Sequence, residues 1–143
     1  MDSSILLVED NANDARLITF TLRAAGIENP VHTVVTVDEA IAHLESLRGS
    51  DTNPLPHVIL LDLSLPGKSG HDLLRWMKPQ PWLSTVVRVV VTGSESDADL
   101  AMSYKLGANA YLRKPLTVDQ LTGPSRNLRS LLAGRVEGLT APA

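Results

Sequence analysis

The run His57-Val58-Ile59-Leu60-Leu61-Asp62 constrains this chain more than any other segment. Its branched apolar residues do not alternate with polar ones, the pattern of a strand covered on both faces, as in a parallel sheet. Its last residue is a carboxylate, which must emerge where the strand leaves the core. Two further apolar runs end in a comparable way. Ile5-Leu6-Leu7-Val8 leads into Glu9-Asp10, and Val86-Val87-Arg88-Val89-Val90-Val91 leads into Thr92-Gly93. A shorter run, Ala110-Tyr111-Leu112, is followed by Arg113-Lys114-Pro115. If the four strands are parallel, three carboxylates, one hydroxyl and one ammonium converge on one sheet edge. Open α/β sheets keep their sites at that edge.

Helical patterns separate these strands. Asn13–Ala25 places Ala15, Leu17, Ile18 and Leu22 on one face and stops at Gly26. Pro30–Val35 reads as a second strand, and Asp38–Leu47 carries Ala40, Ile41, Leu44 and Leu47 at helical spacing. Arg48–Pro56, with Gly49, Pro54 and Pro56, is expected to be a loop. A turn-rich segment, Leu65-Pro66-Gly67-Lys68-Ser69-Gly70, precedes a helix near Asp72–Met77, which Pro79 and Pro81 close. A helix near Asp97–Leu106 ends at Gly107, and a last helix is expected over Val118–Leu132. Gly123-Pro124 interrupts that last pattern, so a kink is expected there, or a short turn followed by a helix starting at Pro124. Five strands alternating with five helices imply an α/β fold, a parallel sheet covered on both sides. The expected domain spans residues 1–133, followed by a disordered tail over 134–143.

Bulk properties narrow the function. Of 143 residues, 43% are apolar, which suits a packed globule. The net charge of −3 argues against a sequence-independent nucleic-acid binder, and 3% aromatics are too few for base stacking. With no cysteine there is no disulfide, thiolate metal site or cysteine nucleophile. Neither a signal peptide nor a membrane span is evident, so a soluble cytoplasmic protein is expected.

Glu9, Asp10 and Asp62 would repel one another, and burial would raise their pKa values. A hard cation can neutralise such a cluster; an all-oxygen donor set without histidine or cysteine suits Mg²⁺. One oxygen of Asp62 would then remain free to attack. Lys114 would add a compact positive charge on the opposite side, and Thr92 a hydroxyl donor. This is equipment for phosphoryl transfer, with Asp62 as the nucleophile and an aspartyl phosphate as product. Each residue alone is an ordinary strand-end or loop residue. Their order at the ends of successive strands carries the argument. His32, His43, His57 and His71 lack metal-ligand spacing and read as structural or exposed.

As a set, Leu7-Val8-Glu9-Asp10-Asn11, Leu60-Leu61-Asp62 with Leu63-Ser64-Leu65-Pro66-Gly67-Lys68-Ser69-Gly70, Val90-Val91-Thr92-Gly93, Gly107-Ala108 and Lys114-Pro115 resemble the receiver domain of two-component response regulators. The resemblance covers about residues 4–133. It implies a flavodoxin-like (βα)5 doubly wound sandwich with strand order 2-1-3-4-5. It implies that Asp62 is the phosphoacceptor, that Glu9 and Asp10 bind Mg²⁺ with the backbone carbonyl of Ser64, and that Lys114 binds the phosphoryl group. It also implies a cis Lys114–Pro115 bond and a switch pair of Thr92 and Tyr111. The opening Val8-Glu9-Asp10-Asn11-Ala12-Asn13-Asp14 and the loop Arg48–Pro56 are similar to stand-alone regulators of bacterial phytochrome histidine kinases. The implied partners are a sensor histidine kinase of the bacteriophytochrome type and a histidine phosphotransfer protein, with neither nucleic acid nor membrane. A homodimer through the last helix is also implied, with geometry left open by Gly123-Pro124.

Two other functions are compatible with parts of this pattern. A phosphatase on a similar sheet needs a second carboxylate two residues after the nucleophile as general acid, and that position is Ser64. A receiver-like adaptor that works without phosphorylation is the remaining alternative, and the intact set of acids and Lys114 argues against it.

Overall fold

The structure, a computed structural model, describes residues 4–122. The order of elements is β1 (Ile5–Val8), α1 (Ala12–Ala24), β2 (Val31–Val34), α2 (Val37–Leu47), β3 (Val58–Leu61) and α3 (Gly70–Met77), followed by a 3-10 turn (Pro81–Leu83), β4 (Val87–Thr92), α4 (Asp97–Lys105), β5 (Ala110–Arg113) and α5, described over Val118–Thr122. All strand pairs are parallel, and the sheet order is β2-β1-β3-β4-β5, a flavodoxin-like arrangement. The rest of the expected last helix, Gly123-Pro124, the dimer face and the tail lie outside the described residues.

The sheet is doubly wound because strand side chains alternate between faces. Leu6, Val8, Ile59, Leu61 and Val90 pack with Ala40 and Leu44 of α2 and with Leu73, Leu74 and Met77 of α3. Ile5, Leu7, Val58, Leu60, Val89 and Val91 pack on the other face with Ile18 and Leu22 of α1 and Leu121 of α5. Each such Leu or Ile contributes roughly 1.5–3 kcal/mol by burial. Two covered faces explain why the central runs carry no polar alternation. The edge strand β2 exposes His32 and Thr33, which is why its pattern is weaker.

Helix boundaries shift by one or two residues where a side chain caps the end. Asn11 accepts the Asp14 N–H at 2.9 Å and starts α1 at Ala12. Ser69 and Asp72 form a reciprocal capping box, so α3 starts at Gly70, two residues before the expected start. Pro81 opens the 3-10 turn instead of ending α3, and Lys78 is already the C-cap. Leu17 does not join the core: α1 buries Ile18, Thr21 and Leu22, and Leu17 stands 47% exposed beside Phe20 at 71%. Leu17 lies one residue, or about 100°, from Ile18 around the helix, and the sheet covers the side centred on Ile18 and Leu22.

The four histidines are structural or exposed, as the sequence suggests. His57 Nδ1 lies 2.9 Å from the Ser4 carbonyl, and His71 Nε2 lies 2.9 Å from Ser103 Oγ. His43 stacks on His32 with ring centroids 4.3 Å apart. Burial, and then the charge of His32, hold the His43 imidazole below its usual 6.5. Because the folded value is depressed, the unfolded chain takes the proton more readily. The resulting stability is present above the unfolded value and is lost as pH falls below it. Urea midpoints at about pH 7.5 and about pH 5.5 should therefore differ less in His43→Gln than in the native chain. Equal differences in the two proteins would remove the stacked pair as the cause.

Candidate functional site

Register brings the acids together. Val8 is level with Leu61 and Leu61 with Val90, so Glu9 and Asp62 leave the sheet at the same height. The ladder continues past the strands. Asp62 N–H donates to the Val8 carbonyl at 3.2 Å and Lys114 N–H donates to the Thr92 carbonyl at 2.8 Å. Glu9 and Asp62 are buried and Asp10 is exposed; one carboxylate oxygen from each lies within 4.8 Å of the others.

Lys114 does not stand opposite this cluster, as the sequence suggests, but inside it. Its Nζ lies 2.7 Å from Glu9 Oε1, 3.0 Å from Asp62 Oδ2 and 2.9 Å from Asp14 Oδ2. Burial by itself would lower the lysine pKa. Hydrogen bonding to Glu9, Asp14 and Asp62, with the charge of Asp62, outweighs burial and holds the ammonium above the usual lysine range. The Lys114–Pro115 bond is cis. Burial also raises the Glu9 carboxyl above its usual value, against the opposing pull of Lys114 and the Asn11 N–H.

The donor set fits a hard divalent cation. Glu9 Oε1 is fully buried and faces the Lys114 ammonium at 2.7 Å, with no other polar partner among the described residues. Three carboxylates and a fourth on Asp14 leave the pocket with more negative than positive charge. Oxygen ligands and excess negative charge are what Mg²⁺-type ions take.

Asp62 is held from both sides. Its Oδ1 accepts the Ser64 N–H at 3.2 Å, and Oδ2 meets Lys114. Behind it, Gly70 N–H donates to the Leu63 carbonyl at 3.1 Å, drawing α3 tightly against the end of β3. Gly67, at φ +78°, turns the intervening loop through a conformation that favours glycine.

Thr92 ends β4 fully buried, and its Oγ1 accepts the Ser94 N–H at 3.3 Å. Tyr111, half-buried on β5, donates its hydroxyl to the Ser94 carbonyl at 3.4 Å. The two residues therefore meet through the backbone of Ser94, whose own hydroxyl donates to Asp99 Oδ2 at 2.6 Å. Sequence analysis did not single out Ser94 or assign a role to Asp14. Asp14 belongs to the pattern Asp10-Asn11-Ala12-Asn13-Asp14, where Asn11 as the helix cap places it in the first turn of α1. A groove of about 260 Å³ opens beside the acids between α1 and the segment after β5, with Asp14 and Lys114 in its wall.

Known proteins are similar to this chain in sequence and fold. Residues 5–124 match the model of the response regulator receiver domain. The response regulator Rcp1 of Synechocystis sp. is 36% identical over 127 residues, covering 89% of this chain and 80% of the relative. The crystal structure of the Mn²⁺-bound form of Rcp1 superposes with a TM-score of 0.70 at 30% identity, covering 99% of this chain and 96% of that one. The phosphorylated cyanobacterial phytochrome response regulator RcpA gives 0.73 at 33% identity, covering 100% and 98%. The bacteriophytochrome response regulator RtBRR gives 0.76 at 32% identity, covering 90% and 78%. The match of family model, sheet order and clustered acids leads to one conclusion: this chain belongs to the response regulator receiver domain family.

Proposed function

We propose that this chain is a response regulator receiver that accepts a phosphoryl group on Asp62 from a sensor histidine kinase. The observation that carries this reading is the position of Asp62: a buried carboxylate with Lys114 on one oxygen and two other acids, Glu9 and Asp14, on that lysine. One Asp62 oxygen attacks the phosphorus of a phosphohistidine as the N–P bond breaks. The imidazole leaves and an acyl phosphate forms. Lys114 and the Thr92 hydroxyl donate to the phosphoryl oxygens, where charge spreads during transfer. Glu9, Asp10, Asp62 and the carbonyl of Ser64 would hold Mg²⁺, whose charge offsets that of the acids and the incoming phosphoryl group. Movement of Thr92 toward the phosphoryl group breaks its tie to Ser94, and Tyr111, bonded to the same residue, turns with it. The chain catalyses only its own phosphorylation and hydrolysis.

The relatives named for phytochromes favour a bacteriophytochrome-type kinase as donor. The output of this chain is protein contact or a histidine phosphotransfer protein in the cytoplasm; the net charge of −3 supports a protein partner over nucleic acid, and no helix among the described residues is long and apolar enough to cross a membrane. The domain is taken as residues 1–133. Incubation with acetyl phosphate, or with an autophosphorylated histidine kinase, should label the protein in Mg²⁺ and leave it unlabelled in EDTA. Absence of label in both would favour the phosphorylation-independent adaptor, and equal label in both would remove the cation from the mechanism.

A further inference from the structure

We propose that Asp14 is a positioning residue: it gives Lys114 a partner outside the cation-binding acids, so that a divalent ion can engage Glu9, Asp10 and Asp62 without stranding the ammonium. The inference rests on the reading of this cluster as a phosphoacceptor centre.

The geometry points to a competition. Lys114 Nζ is shared among Glu9, Asp62 and Asp14 at 2.7, 3.0 and 2.9 Å. Glu9 and Asp62 belong to the group that could hold an ion, and Asp14 does not. A cation drawing on the Glu9 and Asp62 oxygens weakens their pull on the lysine. The Lys114 side chain is only 17% exposed, so water does not readily replace a lost partner. Asp14, 41% exposed at the rim, keeps the lysine paired through the exchange. Its place is set by the backbone, because Asn11 Oδ1 accepts the Asp14 N–H and leaves the carboxylate free to turn toward Lys114.

Removing the Asp14 charge has two consequences of the same sign. Lys114 settles more tightly on Glu9 and Asp62, which it then contests with the cation. The pocket also loses negative charge. Both weaken cation binding.

Calorimetric titration of the full chain with Mg²⁺ alone tests this. Asp14→Asn should raise the Mg²⁺ dissociation constant about fivefold, with thermal stability nearly unchanged. Asp14→Glu should restore most of the affinity. Glu95→Gln, which removes an exposed carboxylate after β4 on the same sheet edge, should leave it unchanged. An unaltered affinity in Asp14→Asn, no recovery in Asp14→Glu, or an equal loss in Glu95→Gln overturns the role assigned to Asp14. A native chain that takes up no Mg²⁺ at all overturns the phosphoacceptor reading itself.

Discussion

Asp62→Asn should accept no measurable phosphoryl group from acetyl phosphate or a kinase, while remaining folded. The substitution keeps the shape of the side chain. Its amide oxygen can still accept the Ser64 N–H that Asp62 Oδ1 now takes at 3.2 Å. What it loses is the negative charge of the carboxylate, whose Oδ2 faces Lys114 at 3.0 Å and which is the nucleophile of the proposed transfer. An amide is so weak a nucleophile that the expected fall is at least about 10³-fold, below detection in a labelling experiment. Stability should move by only about 1 kcal/mol, because loss of the Lys114 pair is offset by relief of repulsion among Glu9, Asp10 and Asp62. Side-by-side labelling of the two proteins, with thermal melts as control, decides the matter. Label in the variant equal to that of the native chain would place the phosphoacceptor elsewhere.

Gly70→Ala should destabilise the fold by about 3 kcal/mol, against the usual direction for a glycine in a helix. On propensity alone, alanine at a helical position gains roughly 0.5–1 kcal/mol. Here a Cβ would collide with the Asp62 carbonyl oxygen and lie 3.0 Å from both Leu61 Cδ1 and Leu63 Cα. Two of those three neighbours are backbone at the end of a buried strand and cannot swing aside as a flexible side chain can. Either α3 withdraws, breaking the Gly70-to-Leu63 hydrogen bond, or the Asp62 backbone shifts. The second response would also slow phosphorylation, because it moves the carboxylate relative to Lys114. Urea unfolding gives the stability change, and a variant as stable as the native chain would contradict the close approach of α3 to β3.

Much of the fold was legible in the amino-acid order because a doubly covered parallel sheet leaves a direct imprint. Its two innermost strands, β1 and β3, are apolar at every position, so a charge at their ends marks the exit from the core. Val58–Leu61 followed by Asp62, and Ile5–Val8 followed by Glu9, are that imprint. Helix ends were less legible. Whether Ser69 caps α3 depends on the reciprocal bond with Asp72, and Leu17 and Ile18 are equally apolar as letters. Only the placement of α1 on the sheet decides which one is covered.

The sequence by itself determined the alternation of strands and helices, the residue types at the strand ends and the family resemblance, because these depend on local periodicity and on short contiguous motifs. The tertiary structure alone decided that Glu9 is buried and Asp10 exposed, that Lys114 lies among the acids, and that Asp14, a hundred residues away along the chain, shares that lysine. Neighbours of that kind are set by strand register and by how a helix docks on the sheet, and both emerge only when the whole core packs at once.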